Sequence, residues 1–369
     1  MTSLLASVGL LASVVCLTLL VWLIRAAPGL GWLEPVGRQA HNQHATPVPN
    51  IGGVAIFWGI VVATLAWVVL AWVGPMWWWE EYNASMAALR GQSAASGVLL
   101  VAVAGIHLLG LWDDRRPLGP WLKLGGQAAI AGFVVVFAQA RVLEALETWF
   151  GVAGLAASVL ISVLWLIVTM NALNFMDNMD GLAGGVAAIC GAIFLANSTV
   201  TGQWASAAWS AALVGATIGF LVLNFPPARV FMGDSGSMLL GLLLGVIAMK
   251  TTYVGEGATQ GAWYGVLVPI VVLAVPLYDS TSVTLLRLAR GASPLTGDHN
   301  HFSHRLVRMG MTRRTAVLLI WLCVLATGLS GVMLPRLAGW QAALVVVQTL
   351  AVLAVLAVLE FAADRRAKR

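Results

Sequence analysis

The feature that most constrains this chain is a series of long apolar runs. A membrane-spanning helix needs about 20 consecutive, mainly apolar residues, and about eleven runs approach that length. They cover residues 3–24, 51–73, 95–112, 122–140, 154–172, 182–201, 204–224, 237–254, 263–286, 316–334 and 341–361. The chain has 60% hydrophobic and only 9% charged residues. The sequence therefore predicts an all-α, polytopic integral membrane protein in which residues 1–369 form a single transmembrane domain.

The basic residues predict the orientation of these helices. No positive charge precedes the first run and Arg25 follows it directly, which favours a retained anchor with an external N-terminus. In this orientation sixteen of the 20 Lys and Arg residues fall on one side, and such an excess marks the cytoplasmic side. The C-terminus is then cytoplasmic. Because topology accounts for the net charge of +5, we expect the lipid bilayer and no nucleic acid as a partner.

A polar stretch follows the fifth apolar run. Asn171, Asn174, Asp177 and Asp180 are each three residues apart, a spacing that keeps side chains on one face of a helix. Amide and carboxylate oxygens are the ligands that Mg²⁺ prefers. A polar helix end at the water interface is the alternative interpretation, but paired carboxylates beside a membrane span are uncommon and usually functional.

Two further connectors on the predicted cytoplasmic side carry carboxylates. In the connector 110–123, adjacent Asp113 and Asp114 repel each other and favour a bound cation, while Lys123 can meet a phosphate. The connector 224–237 begins with Asn224 and contains the sequence Phe231-Met-Gly-Asp-Ser-Gly-Ser. Its glycines allow a tight turn around Asp234, the best single candidate for a metal ligand, and Ser235 or Ser237 is expected to cap the next helix.

The last large loop, 287–315, combines histidines with arginines. His301 and His304 are three residues apart and precede Arg305, a combination that suits oxyanion binding. Arg313 and Arg314 are interpreted as residues that only set the topology.

Together these loops resemble the polyprenyl-phosphate N-acetylhexosamine-1-phosphate transferase family, and the motifs occur in the family's order. Eleven spans with an external N-terminus suit the branch that starts O-antigen and common-antigen chains better than the peptidoglycan branch. The matching segments are His44-Ala-Thr-Pro-Val-Pro-Asn-Ile-Gly-Gly, Asp113-Asp114 with Lys123, Asn174 to Asp180 with Gly-Leu-Ala-Gly, Val230-Phe-Met-Gly-Asp-Ser-Gly-Ser and His301-Phe-Ser-His304-Arg-Leu.

The resemblance implies an enzyme of the bacterial inner (cytoplasmic) membrane, with its active site facing the cytoplasm. It would transfer N-acetylhexosamine-1-phosphate, with N-acetylglucosamine as the expected sugar, from a UDP-sugar to undecaprenyl phosphate and release UMP. Mg²⁺ is the expected cofactor, with Mn²⁺ as an alternative, and a homodimer is left open. The implied residues are Asn174 and Asp234 for the metal, Asp113, Asp114, Asp177, His301 and His304 for catalysis, and Lys123, Asp180, Asn224, Phe231 and Arg305 for substrate binding.

Some positions depart from the family pattern. Asn178 stands where glycine is usual, and we expect it to take a left-handed conformation in place of glycine. Ser303 replaces a histidine, and Asn50 replaces a common arginine. One alternative function is the phospho-N-acetylmuramoyl-pentapeptide transferase, whose triple histidine is missing. An ion-coupled secondary transporter is another, but transporter sites lie near the bilayer midplane, whereas the ionisable residues here gather at one face.

Overall fold

A computed structural model describes residues 1–30, 33–34, 48–73, 83–251, 263–289, 291 and 301–367. His44, at the start of the first predicted motif, lies outside the described residues. The first half of the chain contains α1 (Thr2–Leu30), β1 (Leu33–Glu34), β2 (Val48–Pro49), α2 (Gly52–Val73), α3 (Asn83–Gly91), α4 (Ser93–Arg115), α5 (Pro120–Phe137) and α6 (Ala145–Met176). The second half contains α7 (Leu182–Val200), α8 (Trp204–Asn224), α9 (Asp234–Lys250), α10 (Val268–Val272), α11 (Ala274–Ala289), α12 (Phe302–Arg308), α13 (Arg313–Met333) and α14 (Gly339–Ala367).

The predicted all-α membrane architecture is confirmed. Within the described ranges, nine helices are long and apolar enough to cross a membrane, and the bent pair formed by α10 and α11 would make ten. The only strands in those ranges are β1 and β2, which form a two-stranded antiparallel pair. The expected number of eleven spans and their orientation stay predictions.

Helix α9 corresponds to the eighth predicted run, 237–254, and differs from the other helices in its surroundings. It has 17 residues, which at 1.5 Å per residue is about 26 Å, slightly less than the hydrocarbon core. Every residue from Ser235 to Ala248 is buried, as expected for a helix that is hydrophobic all round. It packs against α2, α4, α6, α7 and α8. The protein surrounds α9, and its first residues form the centre of the site described below.

The ninth predicted run, 263–286, is broken rather than continuous. The two parts meet at an angle of 68°, and Pro276 near the start of α11 explains the break. Proline has no N–H to donate to the carbonyl four residues earlier, and its ring clashes with that carbonyl. That carbonyl belongs to Val272, and it accepts a hydrogen bond of 3.5 Å from the Cys190 thiol instead.

Candidate active site

The amino end of α9 is held by a carboxylate from another helix. Asp114 in the last turn of α4 accepts hydrogen bonds from the backbone N–H groups of Asp234 (2.8 Å) and Ser235 (3.1 Å). A carboxylate suits this position because the first N–H groups of a helix lack partners within the helix. The expectation that Ser235 or Ser237 would cap α9 is wrong, since Asp114 does so and the Ser237 hydroxyl donates to the Gly233 carbonyl.

Two glycines allow this close approach. A Cβ on Gly110 would lie 2.4 Å from the Ser235 Cα, so only glycine lets α4 pack this tightly on α9. Gly233 has φ +70°, and a Cβ there would lie 2.7 Å from both carboxylate oxygens of Asp114. A side chain at either position would separate α4 from the amino end of α9.

Lys123 joins two of the predicted site residues. Its ammonium group contacts the carboxylates of Asp113, at 2.8 Å, and Asp234. The other oxygen of Asp113 accepts from the backbone N–H of Leu118 at 2.6 Å, which fixes the turn between α4 and α5. The cation of α5 therefore lies between carboxylates of α4 and α9, where it lowers their mutual repulsion.

The last turn of α6 also contacts Asp234. The Asn174 amide donates to Asp234 (2.7 Å) and to the Ser237 hydroxyl (3.0 Å). Helix α6 ends at Met176, so Asp177 and Asp180 lie in the turn beyond the helix and not on one continuous helical face. Asn171, one turn earlier, donates a hydrogen bond to the Gln127 side chain at 2.8 Å. It does not line the cavity that the other residues surround.

These residues surround a cavity of about 100 Å³. Its wall is Asn50, Asp114, Asn174, Asp177, Asn178, Met179, Asp180, Asn224, Phe231, Gly233, Asp234, His304 and Arg313. The structure thus brings together eight predicted site residues from segments far apart in sequence. They are Asp114, Asn174, Asp177, Asp180, Asn224, Phe231, Asp234 and His304.

The wall carries an excess of negative charge, and Asp177 shows its effect. Burial raises the pKa of this carboxyl well above its ordinary value, and the charges of Asp234, Asp114 and Asp180 raise it further. A carboxyl in this position binds a proton or a nearby cation more readily than an exposed one. The cavity is therefore suited to a positively charged ligand or to an acid–base group.

Two predicted substrate-binding residues also support the turns around the cavity. The Asn224 amide accepts from the Gly181 N–H at 2.8 Å and donates to the Val230 carbonyl at 2.7 Å. Asp180 accepts from the Ala228 N–H at 3.0 Å. The connectors before α7 and α9 are thereby tied together.

The residues of the histidine loop have two different positions: one lines the cavity, and the others make buried contacts with neighbouring helices. His304 lines the cavity, but His301 and Arg305 do not. The His301 ring bonds to Asp279 of α11 at 3.1 Å, and Asp279 also accepts from the Phe302 N–H. Arg305 is paired with Glu360 of α14 at 3.8 Å. These residues anchor α12 to α11 and α14.

Sequence reasoning missed several wall residues. Arg313, which is interpreted from the sequence as setting only the topology, also lines the cavity. Asn50 and Asn178 were noted only as departures from a family pattern. A charge count cannot separate Arg313 from its neighbours, because the distinction depends on how α13 packs.

The oxygen ligands of the cavity fit a hard divalent cation such as Mg²⁺. Within the described residues no group of three His, Cys, Asp or Glu side chains converges as a complete metal site, but Mg²⁺ is usually bound by one or two carboxylates together with substrate phosphates. The Asn50 Oδ1 atom is buried and has no hydrogen-bond partner among the described residues. Oxygen donors around a crowded set of carboxylates are the environment such an ion needs.

Comparison with known proteins identifies the family. Residues 96–252, which cover most of α4 and all of α5 to α9, match the family described as Glycosyl transferase family 4. The chain is 34% identical over 343 residues to a decaprenyl-phosphate N-acetylglucosaminephosphotransferase of Mycolicibacterium smegmatis, covering 87% of this chain and 79% of the relative. The chain belongs to glycosyl transferase family 4. The resemblance inferred from the motifs is confirmed at this level, and its proximity to the O-antigen branch stays a prediction.

Two further relatives differ in their named substrates. A probable undecaprenyl-phosphate N-acetylglucosaminyl 1-phosphate transferase of Bacillus subtilis is 27% identical, covering 83% of this chain and 78% of the relative. A phospho-N-acetylmuramoyl-pentapeptide-transferase of Heliobacterium modesticaldum is 29% identical, covering 88% of this chain and 96% of the relative. The matched segment contains Asp113, Asp114, Lys123, Asn174, Asp177 and Asp234, so the carboxylate cluster lies in the part of the chain that defines the family.

Proposed function

We propose that this protein transfers N-acetylglucosamine-1-phosphate from UDP-N-acetylglucosamine to a polyprenyl phosphate and releases UMP. The observation that carries the proposal is the cavity at the helix ends, walled by Asp114, Asp177, Asp180 and Asp234. The names of the relatives from Mycolicibacterium and Bacillus support the sugar and the lipid class. The product of that reaction would be the first lipid-linked intermediate of a cell-envelope glycan, made in the inner membrane.

In the proposed reaction an oxygen of the lipid phosphate attacks the β-phosphorus of the UDP-sugar. The new P–O bond joins the two phosphates, and the bond from the β-phosphorus to the bridging oxygen breaks, so that UMP leaves. Both reactants are anions, so catalysis depends on positioning and on neutralising charge. Asn174 and Asp234 would hold Mg²⁺, which neutralises diphosphate charge when bound.

The side chains supply the other functions. Lys123 lies against Asp113 and Asp234 and offers its cation to a phosphate entering beside them. Asp177, whose pKa is raised, is the wall carboxyl suited to accept a proton from the lipid phosphate. Asp234 is engaged by Lys123 and Asn174, which makes it a weak nucleophile and favours direct displacement over a covalent phospho-enzyme.

We also propose that the cavity faces the cytoplasm, on the side that carries sixteen of the 20 Lys and Arg residues. A reporter fused after Arg369 should then be cytoplasmic. A reporter that labels this end on the outside would reverse the orientation and move the site to the wrong side for a UDP-sugar.

The decisive experiment uses purified protein with Mg²⁺ and measures UMP release. Undecaprenyl and decaprenyl phosphate are compared as acceptors, and UDP-N-acetylglucosamine, other UDP-N-acetylhexosamines and UDP-muramoyl pentapeptide as donors. UMP release with UDP-N-acetylglucosamine, abolished by EDTA and restored by Mg²⁺ or Mn²⁺, is expected. Preferred use of UDP-muramoyl pentapeptide would instead support the function named for the Heliobacterium relative. Light scattering on the same preparation tests the homodimer.

A further inference from the structure

Two departures from the family pattern are in direct contact. The Ser303 hydroxyl donates a hydrogen bond to the Asn178 side-chain oxygen. The amide nitrogen of Asn178 donates to the Phe175 carbonyl in the last turn of α6. Both ends of the Asn178 amide are therefore used, and one of them reaches α12.

The backbone at Asn178 does not have the conformation expected from the sequence. Among the described residues, Gln139 and Leu143 are the only non-glycine positions with positive φ, so Asn178 is not left-handed and that expectation is wrong. The left-handed residue of this turn is Gly181, with φ +76°. An asparagine at 178 is accounted for by its side chain and not by its backbone.

We propose that the Asn178–Ser303 hydrogen bond positions His304 on the cavity wall. This inference rests on the proposed function, in which His304 meets a substrate phosphate or sugar. Asn178 directly follows Asp177, and Ser303 directly precedes His304. The bond therefore fixes the distance between two wall groups on separate segments, and both partners act as positioning residues.

The burial of Ser303 supports this role. Ser303 is only 1% exposed, whereas Asn178 is half-buried and lines the cavity. Losing the Ser303 hydroxyl would therefore leave the Asn178 oxygen without its protein donor. Other contacts of α12 lead to other elements: Asp279 contacts His301 and Phe302, and Glu360 contacts Arg305. These contacts fix α12 to α11 and α14, and the His301 ring packs edge-on against Phe175 of α6, whereas Ser303 provides the hydrogen bond to the turn that carries Asp177.

The first test is a double-mutant cycle on UMP release. We expect Ser303→Ala to lower kcat/KM about tenfold, equivalent to roughly 1.4 kcal/mol, mainly by raising KM for the UDP-sugar. Ser303→Thr keeps the hydroxyl and should retain wild-type kinetics within about twofold, an effect below 0.5 kcal/mol. In a His304→Ala background, Ser303→Ala should cause no further loss, because residues that act through one another are not additive.

The second test is independent of turnover. Diethyl pyrocarbonate modifies accessible histidines, and mass spectrometry gives the rate at each site. Ser303→Ala should increase the rate at His304 several-fold, while Ser303→Thr should not. The buried His107 serves as an internal reference. Ser330→Ala is the matched control, because Ser330 also contacts a side-chain amide, that of Gln348, but between α13 and α14.

The outcomes separate the inference from the proposed function. Additive effects of Ser303→Ala and His304→Ala, or an unchanged modification rate at His304, would overturn the inference even in an active enzyme. If the wild-type protein released no UMP with any donor, the proposed function would fail, and the modification rates would still decide whether the pair positions His304.

Discussion

The two sides of the site are built from similar residue types and use them differently. The carboxylate side consists of Asp113, Asp114, Asp177 and Asp234 with Lys123. The histidine side consists of Asp279, His301, Arg305 and Glu360. On the carboxylate side, three of the four acids line the cavity. On the histidine side, no member lines it, and the four side chains are between 2% and 8% exposed.

The difference separates residues that meet a ligand from residues that hold the fold. Each acid of the histidine side is matched within the protein: Asp279 by His301 and the Phe302 N–H, and Glu360 by Arg305 and the Tyr278 hydroxyl. The carboxylate side has four acids against the single cation Lys123, and burial, followed by the charges of Asp234, Asp114 and Asp180, raises the pKa of Asp177. We therefore expect changes on the carboxylate side to affect chemistry most, and changes on the histidine side to affect stability most.

The largest effect is expected at Asp234. Asp234→Asn keeps the shape of the side chain but removes the charge that Lys123 contacts and that would hold the metal. The loss of a required metal ligand should lower Mg²⁺-dependent UMP release on the order of 10³-fold or more. The measurement is the rate at saturating substrate and a series of Mg²⁺ concentrations.

Glu147→Gln is the control for this change. Glu147 is also paired with a cation, Arg141, at 3.1 Å, but its side chain is 45% exposed and lies outside the cavity. This variant should keep its full rate, because exposed ion pairs contribute little. If Asp234→Asn retained more than about a tenth of the wild-type rate, a loss below ~1.4 kcal/mol, Asp234 would not be an essential ligand.

This contrast also shows what could be predicted from the sequence. The apolar runs predicted the helices because bilayer thickness fixes their length. Asp114, Asn174, Asp177 and Asp234 could be predicted as one cluster because membrane topology places the ends of alternate spans on one face. The break before α11 was missed, although Pro276 was visible, because a proline can also be accommodated in a continuous span.

The separation of His301 from His304 could not be predicted from the sequence. Both lie in one short motif, and only the contact of His301 with Asp279 shows that its ring points away from the cavity. For the same reason the sequence could not show that Arg313 lines the cavity and that Arg308 does not. Side-chain direction depends on tertiary packing, and sequence spacing alone does not supply it.

The second largest effect is expected at Asp114, which lines the cavity and also caps α9. Asp114→Asn replaces one acceptor oxygen by an N–H₂ group, so a donor would face a backbone N–H of Asp234 or Ser235. A buried donor without an acceptor costs about 1–3 kcal/mol, and a shift of α9 would misplace Asp234. We expect UMP release to fall about 100-fold together with a lower melting temperature.

A melting temperature that stays at the wild-type value would contradict the capping role of Asp114. An unchanged rate with a lowered melting temperature would assign Asp114 a structural role and no role in catalysis. The two sides of the site would then differ less than we propose.

A smaller effect on the rate is expected at Asp279, on the histidine side. Asp279→Asn weakens the bonds to His301 and to the Phe302 N–H, both buried, and should lower the free energy of unfolding by about 1–3 kcal/mol. The rate should fall less than tenfold, since no reacting group is removed. Thermal unfolding in detergent and UMP release on the same sample give the two values. A rate loss as large as that of Asp234→Asn, with unchanged unfolding, would place Asp279 among the chemical residues.

The smallest effect is expected at Arg313, where α13 begins. Its side chain lines the cavity, and Arg308, in the same basic loop, is exposed and does not. A guanidinium on a partly open wall attracts a phosphate, but water and salt weaken that attraction. We expect Arg313→Gln to raise KM for the UDP-sugar about threefold to tenfold, or roughly 0.7–1.4 kcal/mol, with kcat nearly unchanged. The increase in KM should shrink at high ionic strength.

Arg308→Gln is the control, and it should leave KM unchanged at every salt concentration, because a charge outside the cavity does not contact the substrate. Equal KM values for the two variants would return Arg313 to a purely topological role and leave the carboxylate side, with Lys123, to bind the diphosphate alone.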